Sequence, residues 1–239
     1  MRIQGFRSSM KGRTFIIGCA LALALLVFAQ RHQEAPQPEF HSVVDLTYPL
    51  NGPGLEPTGT RLDAPAHFAP GLWTVDQIPP ERLLAPLVVL DVTAGAKANP
   101  DYQVSLDDIA RWEQFNGAVP LNSVVIANTG WDSRWNSAKD YRNADAKGVM
   151  HFPGYSVDAA KFLVNARNCL GLGIDTPSID YGPSRDFPVR QYALAHSLYQ
   201  LTNVANLDHA PSHGGMVVVA PSKLQGGSGA PVRIFALLR

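Results

Sequence analysis

The sequence predicts an α/β fold, a single domain with a mixed sheet that covers residues 40–239. Three observations predict it. Apolar, β-branched runs of strand length recur along this part of the chain. Helix-capping patterns occur between some of these runs, so strands and helices share the domain. A chain of 239 residues without an internal repeat is long enough for one well-buried domain, or at most two small ones.

Seven runs are predicted to be strands. They are residues 42–47, 87–92, 123–128, 170–175, 199–206, 216–220 and 232–238. The run 170–175 alternates large residues with glycine, which predicts a strand against which another element packs closely. Glycine and proline number 20 and 19, as expected where many turns join short elements.

Three helices are predicted between these strands. Ser105 followed by Asp108 is an acidic capping box, and Gly117 ends the helix that it opens. The apolar face of this helix is expected to comprise Leu106, Ile109, Trp112 and Phe115. Ser156 caps a second helix, and Pro188 suits the first turn of a third.

Composition and charge exclude two classes of protein. The chain has 46% hydrophobic and 17% charged residues, with a formal net charge of +0. That balance excludes an intrinsically disordered chain. A chain with no net charge also lacks the excess of basic residues by which proteins bind nucleic acid. We therefore expect a folded protein with no nucleic-acid partner.

The first 29 residues predict a signal peptide, and residues 30–39 a polar linker. A basic start precedes the apolar run 14–28, which is shorter than the roughly 20 residues that span a bilayer. We therefore expect cleavage and a secreted or periplasmic protein, with membrane attachment only if the signal is uncleaved. Cleavage removes Cys19 and leaves Cys169 without a disulfide partner. We therefore expect Cys169 to be buried and to pack as a small hydrophobic side chain.

The stretch 56–68 reads EPTGTRLDAPAHF and lies between one predicted strand and the next apolar segment. Its glycine and prolines predict a loop, and loops held by a sheet are where functional sites are commonly built. Asp63 and His67 are two side chains in it that suit a metal or acid–base site. This loop is the first candidate for a functional site.

The loop resembles the signature H-x-G-T-H-x-D-x-P-x-H of the metal-dependent cyclase family, which includes bacterial kynurenine formamidases and isatin hydrolases. The chain matches it at Gly59, Thr60, Asp63, Pro65 and His67. Further segments resemble family segments in family order. Among them are NTGWDSRW, HFPGYSVDAAKFL, GLGIDTPSIDYGPSRDFPV and GGSGAPVRIFALL. The resemblance covers nearly all of residues 43–238.

The resemblance implies a swivelling β/β/α domain of the cyclase type. It implies that two motif histidines, the motif aspartate, a downstream histidine and a glutamate bind a divalent metal, typically zinc or manganese. The last motif histidine would act beside the metal as acid or base. The implied reaction is hydrolysis of an aryl formamide or a strained cyclic amide by metal-activated water.

Four of the five implied metal ligands are replaced. The replacements are Pro57, Arg61, Arg190 and Thr202. The first two stand at motif histidines, the third at the downstream histidine and the fourth at the glutamate, so only Asp63 is kept. Zinc needs three or four N, S or O donors at about 2.0–2.3 Å, and arginine stays protonated below pH ~12. We therefore expect no metal cofactor and no family-type hydrolysis, with His67 a vestigial acid or base.

The first hypothesis for the altered site is a binding protein. Arg61 and Arg190 would bind a small anionic aromatic ligand beside Thr202, with Asp63 paired to one of the arginines. The stacking surface would come from Trp73, Trp131 or Trp135. In a purely structural alternative, the two arginines and Asp63 form a salt-bridge cluster that fills a vacated pocket.

The second hypothesis is an active amide hydrolase, of the arylformamidase or isatin hydrolase type, whose metal site is rebuilt around zinc or manganese. The other histidines suit this poorly. His196 lies nearly opposite Arg190 on its helix, and His209 and His213 lie in a predicted solvated turn. We expect His151 to be structural or to line the pocket.

Two further expectations concern Ser228 and the oligomeric state. Ser228, between glycines, is expected to be scaffold, because no strand–turn–helix context for a nucleophile follows it. A homodimer is expected from the resemblance alone.

Overall fold

The computed structural model describes residues 40–50 and 59–238. The predicted signal peptide, the linker and Pro57 lie outside the described residues. Within the described ranges ten strands form: β1 (Ser42–Asp45), β2 (Arg61–Asp63), β3 (Leu84–Asp91), β4 (Gln103–Val104), β5 (Val124–Asn128), β6 (Gly154–Tyr155), β7 (Gly171–Ile174), β8 (Tyr199–Thr202), β9 (Met216–Pro221) and β10 (Gly229–Leu238). Each predicted strand is present, and the largest difference in bounds is at β8, which ends at residue 202 instead of 206.

Seven strands close into a mixed, barrel-like sheet. Their order is β10, β2, β8, β7, β5, β3 and β9, and β9 pairs back with β10. The strands β3, β5, β7 and β8 run parallel, and the other pairings are antiparallel. β10 is long enough to pair with β2 near its start and with β1 near its end. The strands β4 and β6 form a separate two-stranded ribbon.

Two hydrophobic layers cover the two faces of the sheet, and β3 contributes to both. Ala85, Leu87 and Val89 belong to the cluster inside the barrel, whereas Val88 and Leu90 belong to the cluster beneath the helices. Successive side chains of a strand point to opposite faces, so a strand buried on both faces needs a continuous apolar run. This requirement explains why 87–90 reads as an unbroken hydrophobic segment.

The described residues also form five α-helices: α1 (Thr93–Ala98), α2 (Leu106–Asn116), α3 (Ala138–Arg142), α4 (Val157–Asn165) and α5 (Pro188–Ala195). The predicted capping box opens α2, with reciprocal hydrogen bonds between Ser105 and Asp108, and Gly117 ends the helix at φ 82°. None of the described helices is long and apolar enough to cross a membrane. The predicted single mixed-sheet α/β domain is confirmed.

Only two of the four residues predicted for the apolar face of α2 are buried. Ile109 and Trp112 are buried, but Leu106 is 45% exposed and Phe115 is 77% exposed. Residues spaced three apart drift by about 60° per step around a helix of 3.6 residues per turn. The first and last of these four residues therefore point in nearly opposite directions, and only the middle pair faces the sheet.

The glycines of β7 leave room for neighbouring side chains, as their alternation predicts. A Cβ at Gly171 would overlap the Tyr199 ring, and a Cβ at Gly173 would lie 2.9 Å from Cγ1 of Ile126. Both glycines are thus required by close packing across the parallel strands.

Gly171→Ala is expected to destabilise the fold by about 1–3 kcal/mol, because the methyl group forces the Tyr199 ring from its place. Urea denaturation measures the loss. The same substitution in a Tyr199→Leu chain is expected to cost less, since the obstructing ring is gone. An equal cost in both chains would contradict this contact as the cause.

Candidate functional site

A cavity of about 380 Å³ brings together all five site residues predicted in the described chain. Its lining residues are Arg61, Asp63, His67, Tyr141, Arg142, Met150, Pro177, Arg190, Thr202 and Asn203. The stretch 56–68 was predicted to be a loop, but its residues 61–63 form β2. This strand, α5 and the end of β8 meet at the cavity, although they are far apart in sequence. The functional roles assigned to these residues remain predictions.

The pairing of β2 with β8 builds the floor of this cavity. Arg61 lies opposite Thr202, and Asp63 lies opposite Gln200. Leu62 between them is fully buried in the cluster inside the barrel. Because side chains alternate along a strand, the four polar residues share the other face of the sheet. The register therefore places an arginine and a carboxylate side by side at the cavity.

Asp63 is not paired with an arginine, which corrects the expectation from sequence. Its Oδ2 accepts a short hydrogen bond from Nε2 of Gln200. Within the described residues no ion pair joins Asp63 to Arg61 or to Arg190, and the nearest basic group is Nε2 of His67, at 3.8 Å. The salt-bridge cluster of the structural alternative is therefore absent from the described site.

Arg190 is held at the start of α5 by two kinds of contact. Its Nη2 donates to Oγ of Ser178 at 2.6 Å, and its backbone N–H donates to Asp180. The guanidinium also lies over the rings of Phe68 and Phe187. Its Nε is buried without a hydrogen-bond partner in the described residues.

Arg190 remains positively charged in this environment. Burial lowers the pKa of its guanidinium, and the nearby carboxylates of Asp63 and Asp180 partly offset that effect. An arginine begins from so high a pKa that it stays cationic at neutral pH. Across the floor, the Arg61 guanidinium has no hydrogen-bond or ion-pair partner among the described residues. Together with Arg142, which also lines the cavity, Arg61 and Arg190 place three arginine side chains around one cavity.

His67 has a defined orientation. Its Nδ1 lies 3.1 Å from Oγ of Ser228, and its Nε2 faces Asp63. At 3.8 Å the contact with Asp63 is too long for a hydrogen bond, so the Ser228 contact fixes the orientation of the ring but not its tautomer. The contact with Ser228 was not predicted from sequence.

The donors at this site do not fit a divalent metal. In the part of the chain that the structure describes, no three His, Cys, Asp or Glu side chains converge closely enough to hold an ion. Asp63 and His67 provide two donor groups, whereas zinc takes three or four. Two guanidinium groups beside them repel a cation.

The three tryptophans proposed as stacking surface do not line the cavity. Trp131 is buried and donates to the Tyr141 carbonyl, Trp135 stacks on Tyr48, and Trp73 packs against the barrel cluster. That prediction was wrong, because Trp73 and Trp131 pack in hydrophobic clusters and Trp135 packs against another aromatic ring. Tyr141 supplies the aromatic ring at the cavity instead.

Four further histidines, at positions 151, 196, 209 and 213, lie outside the cavity lining. His196 is exposed and bonds the Tyr192 carbonyl, and His209 and His213 are exposed. His151 is structural: its Nδ1 lies 2.8 Å from Oδ2 of Asp101, and the hydrogen bond to Asp101 raises the His151 pKa. None of the four is placed to replace a lost ligand.

Sequence reasoning missed a buried polar network behind the cavity. The Tyr141 hydroxyl donates to Oδ1 of Asn203 and also lies 2.8 Å from the Asp175 carbonyl. The Asp175 carboxylate is fully buried and accepts hydrogen bonds from Thr129 and Trp131. The segment GLGIDTPSID was the one available signal, since an aspartate directly after a buried strand needs partners.

Comparisons with known proteins identify the family. The Cyclase family model, described as "Putative cyclase", matches residues 44–181. Isatin hydrolase of Roseibium aggregatum is 30% identical over 222 residues, 86% of this chain and 83% of the relative. Kynurenine formamidase of Polaromonas naphthalenivorans is 27% identical, over 76% of this chain and 70% of the relative.

A solved structure agrees with both the sequence matches and the predicted fold type. Isatin hydrolase A of Ralstonia solanacearum has a TM-score of 0.77 at 28% identity, and the match covers 99% of this chain and 100% of that chain. The cyclase-type fold predicted from sequence is thereby confirmed. The chain belongs to the cyclase family, whose kynurenine formamidase and isatin hydrolase members are its relatives.

Proposed function

We propose that this chain is a cyclase-family binding protein for a small anionic ligand and has lost the family's metal-dependent hydrolysis. One observation carries the proposal: Arg61 and Arg190 line a single cavity, and neither forms an ion pair with Asp63 in the described residues. The hydrolases among the chain's relatives support the view that the pocket derives from a hydrolase active site. The arginines that replace two family metal ligands support the view that the pocket now binds an anion.

The loss of hydrolysis follows from the energetics of activating water. Metal binding lowers the pKa of water from 15.7 to about 7, and doing without it costs roughly 12 kcal/mol in hydroxide availability at neutral pH. A histidine base contributes on the order of 10²–10⁴ in rate, or about 3–5 kcal/mol. His67 therefore cannot replace an activating metal.

The anion preference follows from the guanidinium groups. A guanidinium fork bonds two oxygens of a carboxylate at once, and such charge-assisted pairs are stronger than neutral hydrogen bonds. The buried, unpartnered Nε of Arg190 is a further donor. Met150 and Pro177 give part of the cavity an apolar wall that suits the body of a small organic acid.

Titration calorimetry of the mature protein against benzoate and other small aromatic acids tests the proposal. We expect binding that weakens by about 10- to 100-fold in Arg61→Ala, since a hydrogen bond to a charged group contributes about 1.5–3 kcal/mol. Arg111→Ala, at an exposed arginine outside the cavity, is the matched control and should leave affinity unchanged. Absence of heat with every aromatic acid and with phosphate would exclude an anion site.

Elemental analysis separates this proposal from the rebuilt hydrolase. The proposal expects less than stoichiometric zinc or manganese in the purified protein, and no hydrolysis of aryl formamides or cyclic amides after either metal is added. One bound ion per chain together with turnover would establish the alternative. Both measurements use the protein without the predicted signal peptide.

A further inference from the structure

We propose that the ligand of this cavity is dipolar: it carries a carboxylate for the two arginines and a cationic N–H group for Asp63. The inference rests on the proposed function and specifies the chemical class that the same site selects. An amino-carboxylic acid belongs to this class, whereas a simple carboxylate or a dicarboxylate does not.

The geometry of β2 sets the two charges side by side. Arg61 and Asp63 are two residues apart in the strand, so their side chains leave the same face of the sheet. At about 3.3 Å per residue their Cα atoms are separated by roughly 6.6 Å. A small organic molecule spans that distance, and both side chains line the cavity.

Asp63 retains capacity to accept a hydrogen bond from a ligand. Its Oδ2 takes the bond from Gln200, but its Oδ1 accepts none from the described residues. Gly229 of β10 lies directly across from Asp63. A Cβ at Gly229 would lie 2.6 Å from Oδ1, so the missing side chain leaves the space that this oxygen occupies. An ionised carboxylate with a free oxygen favours a cationic donor.

The opposite charges of the site do not neutralise each other directly. No ion pair within 4.0 Å joins Asp63 to Arg61 or to Arg190 among the described residues. The basic side chain closest to Asp63 is that of His67, and Asp180 and Arg142 also lie near the site. A ligand of matching polarity satisfies both signs at once, whereas a dianion would meet repulsion at Asp63.

Calorimetry with three probes of one shape tests this selection at pH 7.5. The probes are 3-(aminomethyl)benzoate, its isostere 3-ethylbenzoate and the dianion isophthalate. We expect 3-(aminomethyl)benzoate to bind at least about tenfold tighter than 3-ethylbenzoate, because it alone adds a charge-assisted hydrogen bond to Asp63. Isophthalate is expected to bind most weakly of the three.

Two variants assign the preference to Asp63. Asp63→Asn keeps an acceptor for Gln200 but removes the charge, and we expect it to bind 3-(aminomethyl)benzoate and 3-ethylbenzoate equally. Gly229→Ala keeps the charge but displaces Oδ1, and it is expected to reduce the same preference. Arg61→Ala should weaken all three probes.

The outcomes distinguish this inference from the proposed function. Equal affinity of wild-type protein for 3-(aminomethyl)benzoate and 3-ethylbenzoate would overturn the inference of a dipolar ligand, but it would not contradict the proposed anion site. A preference that survives in folded Asp63→Asn also overturns it. No binding of any probe, with no binding of simple aromatic acids or phosphate, overturns both.

Discussion

A metal centre is expected to appear when Pro57→His, Arg61→His, Arg190→His and Thr202→Glu are combined in one chain. The structure brings the described positions together: Arg61 lies opposite Thr202 across β2 and β8, and Arg190 lines the same cavity as Asp63. The four changes remove two fixed cations and add four donors to the retained carboxylate. We expect uptake to rise from below stoichiometric to one zinc or manganese ion per chain, measured by elemental analysis.

Two controls make this result specific. The same quadruple chain with Asp63→Ala loses its retained donor and is expected to bind metal at least about tenfold more weakly, since donor number governs zinc affinity. A triple chain that keeps Arg61 retains a cation beside the site and should bind little metal. If the quadruple chain folds but takes up no ion, the correspondence between these positions and the family ligands is wrong.

Local sequence signals predicted the scaffold well because the interactions behind them are local. The capping box of Ser105 and Asp108 acts within three residues, and the glycines of β7 reflect packing required at their own positions. Burial on α2 was predicted less well, because a helix face is selected by the element that packs on it. Leu106 and Phe115 satisfy the spacing but lie beyond the sheet contact.

Five of the ten residues that line the cavity were predicted from sequence, but the hydrogen bonds that hold them were not. The motif and the downstream DFPV segment together predicted that Arg61, Asp63 and Arg190 share one pocket, and all three line the cavity. The partner of Asp63 is Gln200, 137 residues away, and depends on the register between β2 and β8. A one-residue change of register would turn Gln200 to the other face, so no local pattern reveals the pair.

The stability of the fold is expected to fall as pH rises from about 4 to 7, because of Asp175. Burial raises the pKa of its carboxyl to about 7, helped by the charge of Asp132, and the hydrogen bonds from Thr129 and Trp131 only partly oppose this. In the unfolded chain an aspartate titrates near pKa 3.9. The folded state therefore holds a proton that the unfolded state releases, and stability falls by up to about 1.4 kcal/mol per pH unit across this window.

Asp175→Asn removes this proton and isolates its contribution. The amide cannot accept every hydrogen bond that the carboxyl accepts, so the variant is expected to lose about 1–3 kcal/mol where the wild-type carboxyl is protonated. Its disadvantage should then shrink as pH rises towards 7, because only the wild-type chain carries the cost of releasing the proton. Urea denaturation from pH 4.5 to 8 measures both curves, with exposed Asp208→Asn as the control that should parallel wild type. Parallel curves for Asp175→Asn and wild type would mean that the buried carboxyl stays ionised throughout, because the donors from Thr129 and Trp131 then outweigh the cost of burial.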